Sequence, residues 1–197
     1  MRELFVATTN RGKLKEYARI LGELPVRLRS LDDLPARPPE PSEDAETYAE
    51  NAIAKAREYA KATGLPTVAD DSGLEVAALD GAPGVRTKRY FGEDATDAER
   101  NAKLVGLLGG RADRGARFVC VIALAWADGR VETFEGECHG RIAETPAGSH
   151  GFGYDPVFVP DGEHRTMAEL PEGTKDLISH RGRAAAKLRD RLRELAW

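Results

Sequence analysis

Cysteine is close to absent from this chain. Cys120 and Cys138 are the two present, too few for a disulfide scaffold and without metal-site spacing, so both are expected to be packing residues in a reducing, cytoplasmic setting. A membrane-length apolar run is missing as well. The longest, Phe118–Ala127, covers ten residues between Arg117 and Asp128, short of the ~18 that a spanning helix needs, and reads as a buried strand. A secretory apolar region is also lacking, because Met1–Ala7 turns polar at Thr8. Positive charge is not in excess: 29 Lys and Arg stand against 33 Asp and Glu, a net charge of −4. That leaves no global electrostatic reason to bind a nucleic-acid polymer, and no helix gathers the basic residues with aromatic partners. What is there is an ordinary globular balance, 41% hydrophobic and 31% charged over 197 residues, which predicts one folded α/β domain over 1–197 with a mixed sheet.

Segment by segment, the pattern alternates. A β-type run, Leu4–Ala7, leads through a polar turn into a helical pattern with Leu14, Tyr17, Ala18 and Leu21 on one face. Four prolines between Pro35 and Pro41 predict an extended loop that delivers Glu40, Glu43, Asp44, Glu46 and Glu50. Thr47 and Glu50 fit a capping box for a helix to about Thr63, with Ala49, Ala52, Ile53, Ala56 and Ala60 as its stripe and Gly64 as its stop. A strand, Pro66–Ala69, runs into Asp70-Asp71-Ser72-Gly73 at its end. Thr96 and Glu99 open a second capped helix to about Leu108. Strands at 118–126 and 131–135 form a hairpin whose Asp128-Gly129 suits a type I′ turn. A strand at about Gly140–Ala143, a glycine-rich loop at Gly148–Gly153, the apolar Val157–Val159 and a helix from about Gly182 complete the chain.

Four constellations could carry chemistry, each with a bland alternative. Thr8-Thr9-Asn10-Arg11-Gly12-Lys13 lies at a strand-to-helix junction, where backbone N–H groups, the helix dipole and a lysine suit a phosphate; a simple helix cap would use the same residues. Asp70-Asp71-Ser72-Gly73 pairs two carboxylates that repel unless a cation or substrate water intervenes, although an Asx turn reads the same way. Phe152-Gly153-Tyr154-Asp155 offers flat rings and an acceptor for a base, or equally a hinge and core. Lys175 with Ser179-His180-Arg181 supplies donors for exocyclic oxygens, or merely starts the last helix. His139, His150 and His164 lack ligand spacing, which argues against a zinc site. Taken together, the four are the parts needed to hold one nucleoside triphosphate.

The ordered motifs Ala7-Thr8-Thr9-Asn10, Glu50-Asn51-Ala52, Ala69–Leu74, Gly81–Val85, Gly151–Pro156 and Ser179–Gly182 resemble the Ham1-like, or inosine triphosphate, pyrophosphatases. The resemblance covers nearly the whole chain. It implies a long mixed twisted sheet flanked by helices, two lobes around an active-site cleft, and a homodimer. It implies hydrolysis of ITP, dITP or XTP to the monophosphate and pyrophosphate with Mg²⁺, clearing deaminated purines from the nucleotide pool. Thr8, Thr9, Asn10, Arg11, Gly12 and Lys13 would hold the triphosphate, with Ser72 also touching substrate. Asp71 would be both Mg²⁺ ligand and general base. Glu40 and Glu43 compete to be the second metal-linked acid, and Glu40 is the choice made here. Phe152 and Tyr154 would sandwich the purine along Gly153, while Asp155, Lys175, His180 and Arg181 would read its edge. Two other readings stay in view: a related pyrophosphatase preferring modified pyrimidine nucleotides, and a non-catalytic nucleotide sensor.

Overall fold

Side chains along β1 (Arg2–Val6) alternate between two apolar surroundings: Leu4 and Val6 enter one buried cluster, Phe5 and Ala7 another. Burial on both faces is what a central strand of a helix-covered sheet requires. The structure is a computed structural model and describes residues 1–197. After β1 come α1 (Arg11–Leu21), β2 (Val26–Ser30), α2 (Tyr48–Thr63), β3 (Thr67–Val76) and α3 (Asp97–Leu107). Then follow β4 (Gly115–Ala125), β5 (Val131–Ile142), β6 (Phe158–Pro160), α4 (Glu172–Ile178) and α5 (His180–Glu194). The strands form one six-stranded sheet in the order β2-β1-β3-β4-β5-β6. β1 is parallel to β2 and β3, with Leu4 opposite Leu28 and Val6 opposite Val68; β5 is antiparallel to β6, with Ile142 opposite Phe158. The fold is therefore α/β with a mixed sheet. No helix is long and apolar enough to cross a membrane.

The chain divides into two compact units. Unit 1 comprises Met1–Asp71, Cys120–Gly136 and Arg181–Trp197. One of its clusters joins Leu4, Val6, Cys120, Ile122 and Leu124 to Tyr17 and Leu21 of α1 and to Ala184, Leu188 and Leu192 of α5. Each fully buried leucine there contributes roughly 1.5–3 kcal/mol. Its other cluster joins Phe5, Ala7, Ala69, Val121, Ala123 and Ala125 to Ala52, Ala56, Tyr59 and Ala60 of α2. Small residues on both partners let α2 pack closely against that face. Unit 2 comprises Ser72–Val119 and Glu137–His180, and its core gathers Leu74, Val76, Leu104, Phe118, Cys138, Tyr154, Phe158 and Met167. Cys120 and Cys138 form no disulfide and are buried, one in each unit.

Both predicted N-caps are present, but the full box forms only at α3; at α2 the Glu50 carboxylate accepts from the Thr47 hydroxyl (2.8 Å) instead of its backbone N–H. Thr47 accepts from the Glu50 N–H (3.2 Å) at the start of α2, which ends at Gly64. Thr96 and Glu99 form the reciprocal box at the start of α3. Several expectations need correction. Asp70-Asp71-Ser72-Gly73 does not end a strand but lies inside β3, because both carboxylates find distant partners in place of local turn bonds. The two strands expected at 131–135 and 140–143 are one, since Gly136 and Cys138 continue the buried alternation. The 126–130 turn is not type I′: Gly129 alone takes a positive φ (+92°), and its N–H donates to Trp126 (3.0 Å). Ala18 is exposed, and Glu16 takes a buried place on α1 instead. β2 and the short α4 were not anticipated.

Candidate active site

In unit 1 the loop between β1 and α1 is shaped by its own side chains. Asn10 is the N-cap of α1, its Oδ1 accepting from the N–H groups of Gly12 (2.8 Å) and Lys13 (3.1 Å). Thr8 Oγ1 accepts from the Asn10 N–H (3.1 Å). The first turn of α1 itself holds no acid, so no residue within it offsets the positive helix end. Thr8–Arg11 line a cavity of about 150 Å³ with Leu14, Ser30, Leu31, Asp32 and Arg37. Thr9 and Arg11 are exposed there, while Lys13 turns inward to Asp70 at 2.9 Å.

The adjacent carboxylates of β3 have different surroundings. Asp70 is almost fully buried against Lys13 and Arg181, whose Nη2 is 3.1 Å away. Burial alone would raise its pKa, but the charges of Lys13, Arg181 and Lys55 outweigh that and hold it well below the ordinary range. Asp71 accepts from Asn51 Nδ2 on α2 at 2.9 Å. Desolvation dominates there and raises its pKa, the Asn51 bond opposes the rise, and the Glu43 charge adds to it. Glu43 is bonded to the buried Lys55 of α2. The proline-rich loop therefore brings Glu43 into the field of Asp71, whereas Glu40 is exposed and acts on Tyr59. Of the two acids, Glu43 is thus the one whose charge acts on Asp71.

Arg181 also departs from expectation. Its Nε and Nη2 donate to Asp70 and its Nη1 to Glu16 (2.8 Å), with 2% of the residue exposed. It buttresses the acidic site and does not present these donors to a base. The donor set around Asp71 is carboxylate oxygen, which suits a hard divalent cation held by one or two acids plus substrate phosphates. No group of three or more His, Cys, Asp or Glu side chains forms a self-sufficient metal cage.

Unit 2 holds the aromatic loop. Asp155 Oδ2 accepts from the Phe152 N–H (2.9 Å) and from Lys175 Nζ (2.5 Å), and Lys175 lies 4.8 Å from the Phe152 ring centroid. Gly151 makes this possible: it sits at φ +78°, and a Cβ there would come within 2.0 Å of the Asp155 carboxylate. Phe152 is half-buried, whereas Tyr154 is a core residue, 3% exposed, whose hydroxyl donates to the Thr87 carbonyl (3.2 Å). Of the two rings expected to sandwich the purine, Tyr154 is therefore packed in the core and Phe152 alone is part-exposed. His180 is buried and stacked on Phe118, centroids 4.5 Å apart and planes 10° apart. Ser72 is half-buried.

Sequence reasoning gave no role to Glu16 and Lys55, and quoted Asn51 only as part of a motif. Asn51 and Lys55 interrupt the alanine stripe of α2 at i, i+4 spacing, so polar residues on an otherwise apolar face were the available signal. Glu16 carried none, because its partner Arg181 is 165 residues away.

The Ham1 family profile matches residues 4–191. A dITP/XTP pyrophosphatase of Geobacter sulfurreducens is 52% identical over 194 residues, covering 98% of this chain and 97% of that protein. Another from Deinococcus deserti is 50% identical, covering 95% and 88%. Among solved structures, a HAM1 protein from Coxiella burnetii superposes with a TM-score of 0.89 at 43% identity, covering 98% of this chain and all of that one. With motifs, fold and full-length similarity in agreement, the chain belongs to the Ham1 family.

Proposed function

We propose that this chain hydrolyses the α–β phosphoanhydride of deaminated purine nucleoside triphosphates, ITP, dITP and XTP, releasing the monophosphate and pyrophosphate. The observation that carries the reading is Asp71, a β3 carboxylate oriented by Asn51 and held at raised pKa beside a firmly ionised Asp70. A carboxylate so placed can take the proton of an attacking water. Lys13 and the α1 N-terminus supply positive charge for the departing pyrophosphate, and Asp70 with Arg181 fixes where Lys13 sits. Mg²⁺, held by Asp71 and Glu43 with substrate oxygens, would neutralise phosphate charge when bound.

In unit 2, Phe152 offers the stacking ring and the Asp155–Lys175 pair a fixed acceptor and donor. A donor facing a 6-oxo group is left unpaired by the amine of adenine, which disfavours ATP. Pyrophosphate release across ITP, dITP, XTP, ATP, dTTP and methylated pyrimidine triphosphates, with and without Mg²⁺, tests the reading. Preference for the three deaminated purines is expected; nucleotide binding without pyrophosphate would indicate a sensor. The working form is proposed to be a cytoplasmic homodimer, which sedimentation equilibrium would reveal as twice the chain mass.

A further inference from the structure

Helix α3 grips the aromatic loop at a single residue. Asp97 Oδ2 accepts from the Gly153 N–H at 2.7 Å, and Asn101 Nδ2, one turn further on, donates to the Gly153 carbonyl at 3.0 Å. Both hydrogen-bonding groups of the residue between Phe152 and Tyr154 are thus tied to one rigid element within unit 2. The clamp is itself braced. Arg100 Nη1 donates to the other Asp97 oxygen at 2.9 Å, and the Thr96–Glu99 capping box sets the start of the helix. Asn101 is 3% exposed, and its Oδ1 is buried without a hydrogen-bond partner. An asparagine is a poor choice for a helix interior and a buried unsatisfied acceptor is costly, so an apolar side chain would serve the core better. Its contribution is the bond to Gly153.

The geometry points to Asp97 and Asn101 as positioning residues that set the orientation of the Phe152–Tyr154 loop, and thereby the selection of the base. The inference rests on the purine-triphosphate reading above. It follows from the division of groups in the chain: Asp71, Lys13 and Asn51 belong to unit 1, so loosening the unit 2 loop changes base binding while leaving the hydrolytic groups unaltered.

Asn101→Leu and Asp97→Ala test it by steady-state pyrophosphate release from ITP and ATP. Both variants should raise KM for ITP and shrink the ITP-to-ATP ratio of kcat/KM by about tenfold, inside the ~100-fold that ångström-scale misplacement can cost. The kcat on ITP should stay within about twofold of wild type. Asp97→Asn keeps an acceptor for the Gly153 N–H and should behave as wild type. Hydrogen exchange across 148–158 gives a readout independent of substrate, and faster exchange is expected in both disruptive variants. If Asn101→Leu does not fold, Asn101→Ser carries the same expectation. Unchanged KM, ratio and exchange would overturn the proposal, as would a loss of kcat on both nucleotides alike. Wild-type protein that releases no pyrophosphate from ITP would instead defeat the functional reading, and exchange alone would then decide the clamp.

Discussion

Asp70 and Asp71 are neighbours in one strand with pKa values moved in opposite directions, and each direction has a consequence. Asp70 titrates below its ordinary 3.8 in the folded chain. Its contribution to stability is therefore complete above that value and is lost as pH falls through the lower, folded one. Asp70→Asn is expected to cost about 3–5 kcal/mol at neutral pH, because it leaves buried Arg181 with Glu16 alone to balance it and takes the counter-charge from Lys13. The gap from wild type should narrow below pH ~4; denaturant unfolding at neutral and acid pH measures it, and a gap independent of pH would rule the assignment out. Asp71 has the reverse sign. Its folded pKa lies above 3.8, so folding disfavours the ionised form and the stability contribution declines as pH rises through that range. Metal-free Asp71→Asn should accordingly melt no lower than wild type at neutral pH, while kcat for pyrophosphate release drops ~100-fold or more. A melting scan beside a rate measurement separates the two effects.

Helix α2 combines a packing face with a functional one. Ala52, Ala56 and Ala60 lie fully buried while Asn51 and Lys55 reach the carboxylates. Ala56→Leu should destabilise by about 1–3 kcal/mol through overpacking. The same change at exposed Ala54 should stay within about 0.5 kcal/mol. Urea unfolding of the pair measures a pure difference of face. The stripe and the caps of α2 and α3 were legible because they depend on residues three or four apart. β2 was not: Val26 and Leu28 alternate with arginines over only five residues, and pairing with β1 decides the conformation. The placement of Asp70-Asp71 inside β3 was hidden for the same reason, since local turn chemistry and distant ion pairs compete for the same oxygens. That Glu43 and not Glu40 meets Lys55 was hidden too, since the contact spans twelve residues.

Across the whole chain, the groups expected to carry the reaction were legible as residue types, but their roles were not. Residues 40–75 hold nine acids against three bases, and residues 175–197 seven bases against three acids. The modest net charge conceals this separation. Arg181 looked like a reader of the base and is a buried counter-charge, a role set entirely by partners on α1 and β3. With two protein carboxylates at most for the cation, Mg²⁺ alone should barely move Tm. Mg²⁺ with a non-hydrolysable ITP analogue should raise it by mass action. Thermal scans with each addition test this, and a large shift with Mg²⁺ alone would indicate a preformed cage. The Arg181–Asp70 pair also bears on how the protein is made. It joins residues 111 apart, so a chain emerging from the ribosome carries both Glu16 and Asp70 long before their shared guanidinium exists. Until residues 181–197 are translated, unit 1 also lacks the Ala184, Leu188 and Leu192 face of α5 that closes its core. The acidic site can therefore acquire its full set of counter-charges only after residue 181 has been synthesised, although Lys13 is there from the start.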